Sequence, residues 1–372
     1  MTNELSTAIR REACGSCEPH HSMGARLRRL RRFLRSPKGY LILVLIGLAV
    51  LAAPSTVMAS AATCLAAAIL GAGAVELACV RLEERLWRIP SSALLSGLIV
   101  GLVLSAQEPW YVAASAGVFA IASKHLLRRH RSHIFNPAAV GLLAVFFLFS
   151  NGQSWWGAFA NLPLASVIVV LAGGMLVSNR ANKLPASLAF LGTYVSLFTL
   201  VAILGHGADV ADVFRAPFVN MAVFFGFMML TDPPTSPLRF PAQVWFGVSV
   251  AVVCFGAFVA THGLYYLLAG GLVGNLGYAV SKSIDLMRQR VPGLRFATPA
   301  IAGFDNRVLN ASFIATGFAI LLILGAAAAV LRQGDGESYS AARISAAEGS
   351  NSNHGAGEVA PAKRCKGPMW AA

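Results

Sequence analysis

Long apolar runs separated by short polar stretches give this chain its pattern. The runs predict membrane helices at about Tyr40 to Met58, Ala59 to Val80, Ser91 to Ala106 and Trp110 to Leu127. A fifth opens after Phe135-Asn136-Pro137 and ends near Ser150, and a sixth covers Leu162 to Val177. The next four are Pro185 to Leu204, Ala216 to Leu230, Val244 to Thr261 and Leu264 to Val280, with an eleventh segment at Val308 to Leu331. Each is near the roughly 17–25 residues that a bilayer-crossing helix needs. Lipid cannot satisfy open backbone, so the expectation is an all-α, polytopic transmembrane protein of about ten to eleven spans.

The polar stretches divide by charge. Arg26, Arg28, Arg29, Arg31, Arg32, Arg35 and Lys38 precede the first span. Arg81, Arg85 and Arg88 follow the second, Arg128, Arg129 and Arg131 the fourth, Arg180 and Lys183 the sixth, and Lys282, Arg288 and Arg290 the tenth. This is a positive-inside pattern, and it places the N-terminus and every second loop in the cytoplasm. Trp155 and Trp156 read as an interfacial belt on the opposite side. Four regions are expected: a basic tail over 1–39, a transmembrane domain over 40–292, a loop and additional span over 293–331, and a disordered Gly/Ser/Ala-rich tail over 332–372.

Composition supports the membrane reading. Of 372 residues 56% are hydrophobic and 12% charged, about half the charge of a soluble domain. The net charge of +14 comes from loop arginines and lysines, with no aromatic-interleaved basic face, so nucleic acid is not an expected partner. Cys64, Cys79 and Cys254 lie in apolar segments as small hydrophobes. Cys14 and Cys17 with His20 and His21 form a local ligand-rich cluster in the basic tail, open to a metal or redox role or to none.

Two proline motifs stand out. Phe135-Asn136-Pro137-Ala138 opens the fifth span, and Leu230-Thr231-Asp232-Pro233-Pro234-Thr235 closes the eighth. Proline removes an N–H and turns its predecessor from the α region, so both motifs break helix and free carbonyls. By the charge pattern both fall on the cytoplasmic side. Asn136, Asn220 and Asn275 are the amides near or within spans, readable as interhelical glue or as contacts to a planar polar ring. Asp232 is a functional carboxylate or a turn cap. Glu76, at depth in the second span, is functional or snorkels toward the basic loop that follows. Gly270, Gly271 and Gly274 read as close helix packing, and no soluble-enzyme motif is present.

The two proline motifs together, with the Gly173-Gly174 span, its basic turn and Leu184-Pro185, resemble the RnfD/NqrB family over about Tyr40 to Pro292. These are membrane subunits of Rnf complexes and of the sodium-translocating NADH:quinone oxidoreductase. The resemblance implies flavin-dependent electron transport in a bacterial inner membrane, coupled to ion movement, beside membrane and flavin or iron–sulfur partner subunits. The family's flavinylation motif, Ser-(Gly/Gln)-Ala-Thr, has no counterpart here, and Asn151 to Pro163 contains no threonine. Covalent FMN is therefore not expected. A non-covalent flavin, FMN or riboflavin, would be held by Phe135, Asn136, Pro137, Thr231, Asp232, Pro233, Thr235 and Asn275. A membrane transporter and a non-redox anchor for redox partners are the alternatives.

Overall fold

In the computed structural model, residues 28, 31–53, 58–84, 90–129, 132–160, 166–261 and 263–290 are described. The cysteine–histidine cluster at 14–21, the eleventh segment and the 332–372 tail lie outside them. Ten principal helices follow the apolar runs: α1 Pro37–Ala52, α2 Met58–Glu84, α3 Ser91–Val103, α4 Trp110–Leu126, α5 Pro137–Phe149, α6 Val167–Arg180, α7 Leu184–Val201, α8 Phe218–Phe224 prolonged by a π turn Phe225–Met229, α9 Phe240–Thr261 and α10 Tyr266–Arg290. The strands are a two-residue hairpin, β1 Arg128–Arg129 on β2 Ser132–His133. The protein is all-α and passes through the membrane several times. Three helical stretches, Met58–Leu82, Leu184–Phe214 and Phe240–Thr261, are long and apolar enough to cross, and five more apolar helices are shorter.

Helix starts follow local chemistry. Pro37 sits at the first turn of α1 after Ser36, whose hydroxyl accepts the Gly39 N–H at 3.2 Å. A proline in the first turn loses no helical hydrogen bond, and a serine N-cap satisfies a donor that the helix cannot. Pro137 and Asn136 repeat the arrangement at α5.

Helix α2 packs along α3 and α4, α4 continues onto α5, α9 lies along α7 and α10, and α10 touches α5. Small residues set the α2–α4 spacing. A Cβ on Gly71 would stand 2.4 Å from the Ala114 carbonyl oxygen, and one on Gly117 2.2 Å from that of Ala68. Both distances are impossible for real atoms, so the two backbones touch at reciprocal glycines. In α10, Gly270 allows the same approach to Cys254 of α9. Between α7, α9 and α10 an aromatic cluster of Phe190, Tyr194, Phe198, Phe258 and Tyr266 fills the core.

The tryptophan belt is not there. Trp155 is 0% exposed and Trp156 3%, and Trp156 Nε1 donates to the Gly101 carbonyl at 2.7 Å. The segment that carries them folds back on α3, where the Trp155 N–H reaches the Val103 carbonyl and Gln153 bridges Leu104. Both rings are buried inside the protein rather than at a lipid headgroup layer, and among the described residues the Trp155 Nε1 has no acceptor.

Candidate functional site

The proline motifs meet. Asn136 caps α5 with its side-chain oxygen, which accepts the N–H groups of Ala138 at 3.0 Å and Ala139 at 3.3 Å. Its Nδ2 donates to the Met229 carbonyl at 2.8 Å, at the end of α8. Its own backbone N–H donates to Asn275 Oδ1 at 3.0 Å, while Asn275 Nδ2 donates to the Thr235 carbonyl at 3.2 Å. Two asparagines thus bind two broken chain segments and the middle of α10 into one clasp.

The α8 end is closed by its own hydroxyls. Thr231 Oγ1 donates to the Phe227 carbonyl at 2.7 Å, and Ser236 Oγ to that of Asp232 at 2.7 Å. Thr235 Oγ1 stands 3.2 Å from Asp232 Oδ2. From the turn after α6, Lys183 is buried to 1% exposure and points its ammonium at the carbonyls of Ser236, at 3.0 Å, and Pro237. Burial lowers its pKa from 10.5 to about 8, against a smaller opposing pull from Asp232. Gln243 of α9 holds the same turn, donating to the Asn182 and Leu238 carbonyls, each at 3.0 Å.

Depth follows from helix length. At 1.5 Å per residue the 13 residues of α5 cover about 20 Å, against a hydrocarbon core of about 30 Å. Asn275 lies nine residues into the 25-residue α10, so the clasp meets that helix roughly 14 Å from its start. Broken backbone at such depth must be satisfied by protein, and here side chains supply the donors.

Of the residues singled out from sequence, Asn136, Thr231, Thr235 and Asn275 are buried in the clasp and bonded to backbone. Pro137 is buried at the first turn of α5. Phe135 and Asp232 are half-buried at its edge, and Pro233 is exposed. Asp232 Oδ2 lies 3.0 Å from His133 Nε2 of the β-hairpin, and its Oδ1 has no hydrogen-bond partner among the described residues. Asn220 does not join. It sits on α8 toward the opposite end, where its Nδ2 donates to the carbonyls of Ala158 and Phe159.

Sequence reading passed over His133, Lys183 and Gln243 as site residues. The position of Lys183 directly before Leu184-Pro185 was the available signal. Glu76 does not reach toward the loop after α2. It accepts from Lys124 Nζ of α4 at 2.6 and 2.9 Å and stands 3.3 Å from His125 Nε2.

Part of the sequence is similar to known proteins. Residues 35–162 match the model of the NQR2, RnfD, RnfE family. Over that stretch the chain is similar to the family. It is 29% identical over 166 residues to the D-type subunit of the ion-translocating oxidoreductase complex of Stutzerimonas stutzeri, covering 41% of this chain and 43% of the relative. It is 26% identical over 188 residues to the corresponding D-type subunit of Shewanella amazonensis, covering 50% of this chain and 49% of the relative. The chain thus spans about half the length of the curated relatives it matches. Within the family-matched range lie Asn136, Glu76 and Lys124, whereas the Thr231–Thr235 cap and Asn275 lie outside it.

The clasp bears on an expected flavin. A ring hydrogen-bonded by Asn136, Thr231 and Asn275 needs amide and hydroxyl groups that face open space. These groups face carbonyls and N–H groups of the protein itself. The arrangement therefore does not fit a ring held by those three side chains. Phe135, Asp232, Pro233 and His133, at the edge, are site residues with surface exposed.

Proposed function

We propose that the chain is a membrane-embedded, D-type subunit of an ion-translocating oxidoreductase complex of the bacterial inner membrane, with its N-terminus in the cytoplasm. One observation carries this reading: the family-matched Asn136 cap is joined at membrane depth to the second proline motif and to Asn275. A protein that merely crossed the bilayer would have no need of two helix breaks locked together there and pinned to a third helix. In this reading the clasp is a rigid floor, and Asp232 with His133 forms its polar edge, where Oδ2 lies 3.0 Å from Nε2. Electrons would come from flavin- or iron–sulfur-bearing partner subunits.

A non-covalent flavin, FMN or riboflavin, belongs to this proposal with its ring against Phe135 rather than between the asparagines. A redox-silent anchor is the second reading, favoured by the complete use of the Asn136 and Asn275 functional groups on backbone. Absorbance and fluorescence spectra of the detergent-purified protein, before and after acid precipitation, separate the two. Flavin freed into the supernatant, with occupancy lowered by Phe135→Ala, supports the first. A colourless protein that still pulls down partner subunits supports the anchor. A colourless protein with no redox partner overturns the D-type assignment.

A further inference from the structure

Away from the clasp, the segment before α1, α1 itself and the end of α6 line an open cavity of about 750 Å³. Its walls carry Arg31, Arg35 and Arg180, with Tyr40 and Asn179 as further polar groups, and Leu34, Leu43 and Leu176 as the apolar part. No carboxylate lines it among the described residues. The two helices touch just below, where a Cβ on Gly173 would stand 3.0 Å from Val44 Cγ1. The cavity opens above that contact, between the polar ends.

Three features specify the occupant. Three guanidinium groups share one cavity without a lining acid among the described residues, so like charges are gathered where an anion would relieve them. Guanidinium forks match phosphate oxygens two at a time. Arg180 is already placed, since its Nη2 donates to the Arg35 carbonyl at 3.0 Å across the gap between helices. Leu43 and Leu176 are 45% and 56% exposed, so the apolar wall continues onto the surface that faces lipid. A free inorganic anion would use the arginines and leave that wall unexplained. A phosphate carrying acyl chains uses both.

We propose that this cavity is a binding site for an anionic phospholipid, with its phosphate among Arg31, Arg35 and Arg180 and its acyl chains along Leu43 and Leu176. Basic recesses between membrane helices are suited to such headgroups. By tying the segment before α1 to the end of α6, the lipid would fix the first helix against the bundle. The site is independent of the redox reading and stands or falls without it.

The test is native mass spectrometry and thermal melting of the full chain in detergent, with phosphatidylglycerol, cardiolipin, phosphatidylcholine or inorganic phosphate added separately. Retained anionic phospholipid that raises the melting temperature, with no effect of phosphatidylcholine or phosphate, is the expected result. Each basic residue near a membrane surface contributes about fivefold to anionic-lipid affinity, so R31Q should weaken retention about fivefold and R31Q/R35Q/R180Q about a hundredfold. R35K/R180K keeps the charge and the topology but loses the forks, and should retain less lipid than the wild type while still folding. Protection by phosphate equal to that by lipid would overturn the proposal in favour of a free-anion site. Equal lipid retention by the wild type and R31Q/R35Q/R180Q would overturn it outright.

Discussion

Replacing Asn136 by alanine removes two separable interactions. The first is the N-cap of α5, whose loss costs about 1 kcal/mol. The second is the bond from Nδ2 to the Met229 carbonyl, 2.8 Å long and buried. An acceptor left unpaired in the interior costs about 1–3 kcal/mol. N136A should therefore destabilise the protein by about 2–4 kcal/mol. N136S and N136D keep an oxygen for Ala138 and Ala139 but have no amide to reach Met229, so each should lose about 1–3 kcal/mol. The order expected is wild type above N136S and N136D, with N136A lowest. Reversible unfolding in mild detergent, followed by tryptophan fluorescence without added cofactor, measures this order. The reasoning is refuted if N136A unfolds within about 0.5 kcal/mol of wild type, the size of an ordinary surface substitution. The asparagine would then be reserved for a ligand and not for backbone.

Lys183→Met should cost about 2–4 kcal/mol, because the Ser236 and Pro237 carbonyls both lose their donor. The wild type also carries a pH signature. With the folded pKa near 8 and the unfolded one near 10.5, the unfolded chain binds more protons between these values. Stability should thus rise with pH across that window, by at most roughly 3 kcal/mol, and K183M should lack the rise in a denaturant series. Gly117→Leu should abolish assembly of α2 on α4, since its first side-chain atom would meet the Ala68 carbonyl, whereas Gly47→Ala, with nothing within 4 Å, should fold normally in size-exclusion profiles. Glu76→Met should destabilise by about 3 kcal/mol by leaving Lys124 unpaired, and E76M/K124M should recover most of that loss in the same unfolding assay.

The spans, the two helix breaks and their common end of the bundle were legible because hydropathy and proline act locally. Partners distant in sequence were not. Asn136 and Asn275 are 139 residues apart, and Glu76 and Lys124 are 48 apart. Nothing in either neighbourhood tells which face of a helix meets which. Trp155 and Trp156 misled because an indole at a span boundary reads the same whether its neighbour is lipid or α3. Asn220 misled for a related reason: a buried amide in α8 could equally face the clasp or the opposite end. Its carbonyl acceptors at Ala158 and Phe159 come from an irregular segment with no sequence signal for its path. Lys183 was read as one more positive-inside charge. Its inward turn depends on free carbonyls that appear once the Ser236-Pro237 cap has folded beneath it.

Those carbonyls connect the chemistry of the cap to its location. Helix breaks in water cost little, because water bonds whatever the prolines release. At membrane depth each released carbonyl must find a donor within the protein or carry its full desolvation cost. Here the carbonyls of Phe227, Met229, Asp232, Thr235, Ser236 and Pro237 are met by Thr231, Asn136, Ser236, Asn275 and Lys183. The donors come from four different stretches of the chain, so the cap cannot loosen at one point without stranding a polar group elsewhere. That is why the heart of the clasp is suited to rigidity, and why the proposed reading puts its chemistry at the edge. Asp232 is held there by Thr235 and His133 through one oxygen and keeps the other available. Asp232→Asn should accordingly leave the fold of the clasp standing while altering any proton- or cation-dependent activity of the assembled complex, a separation that N136A and K183M cannot show.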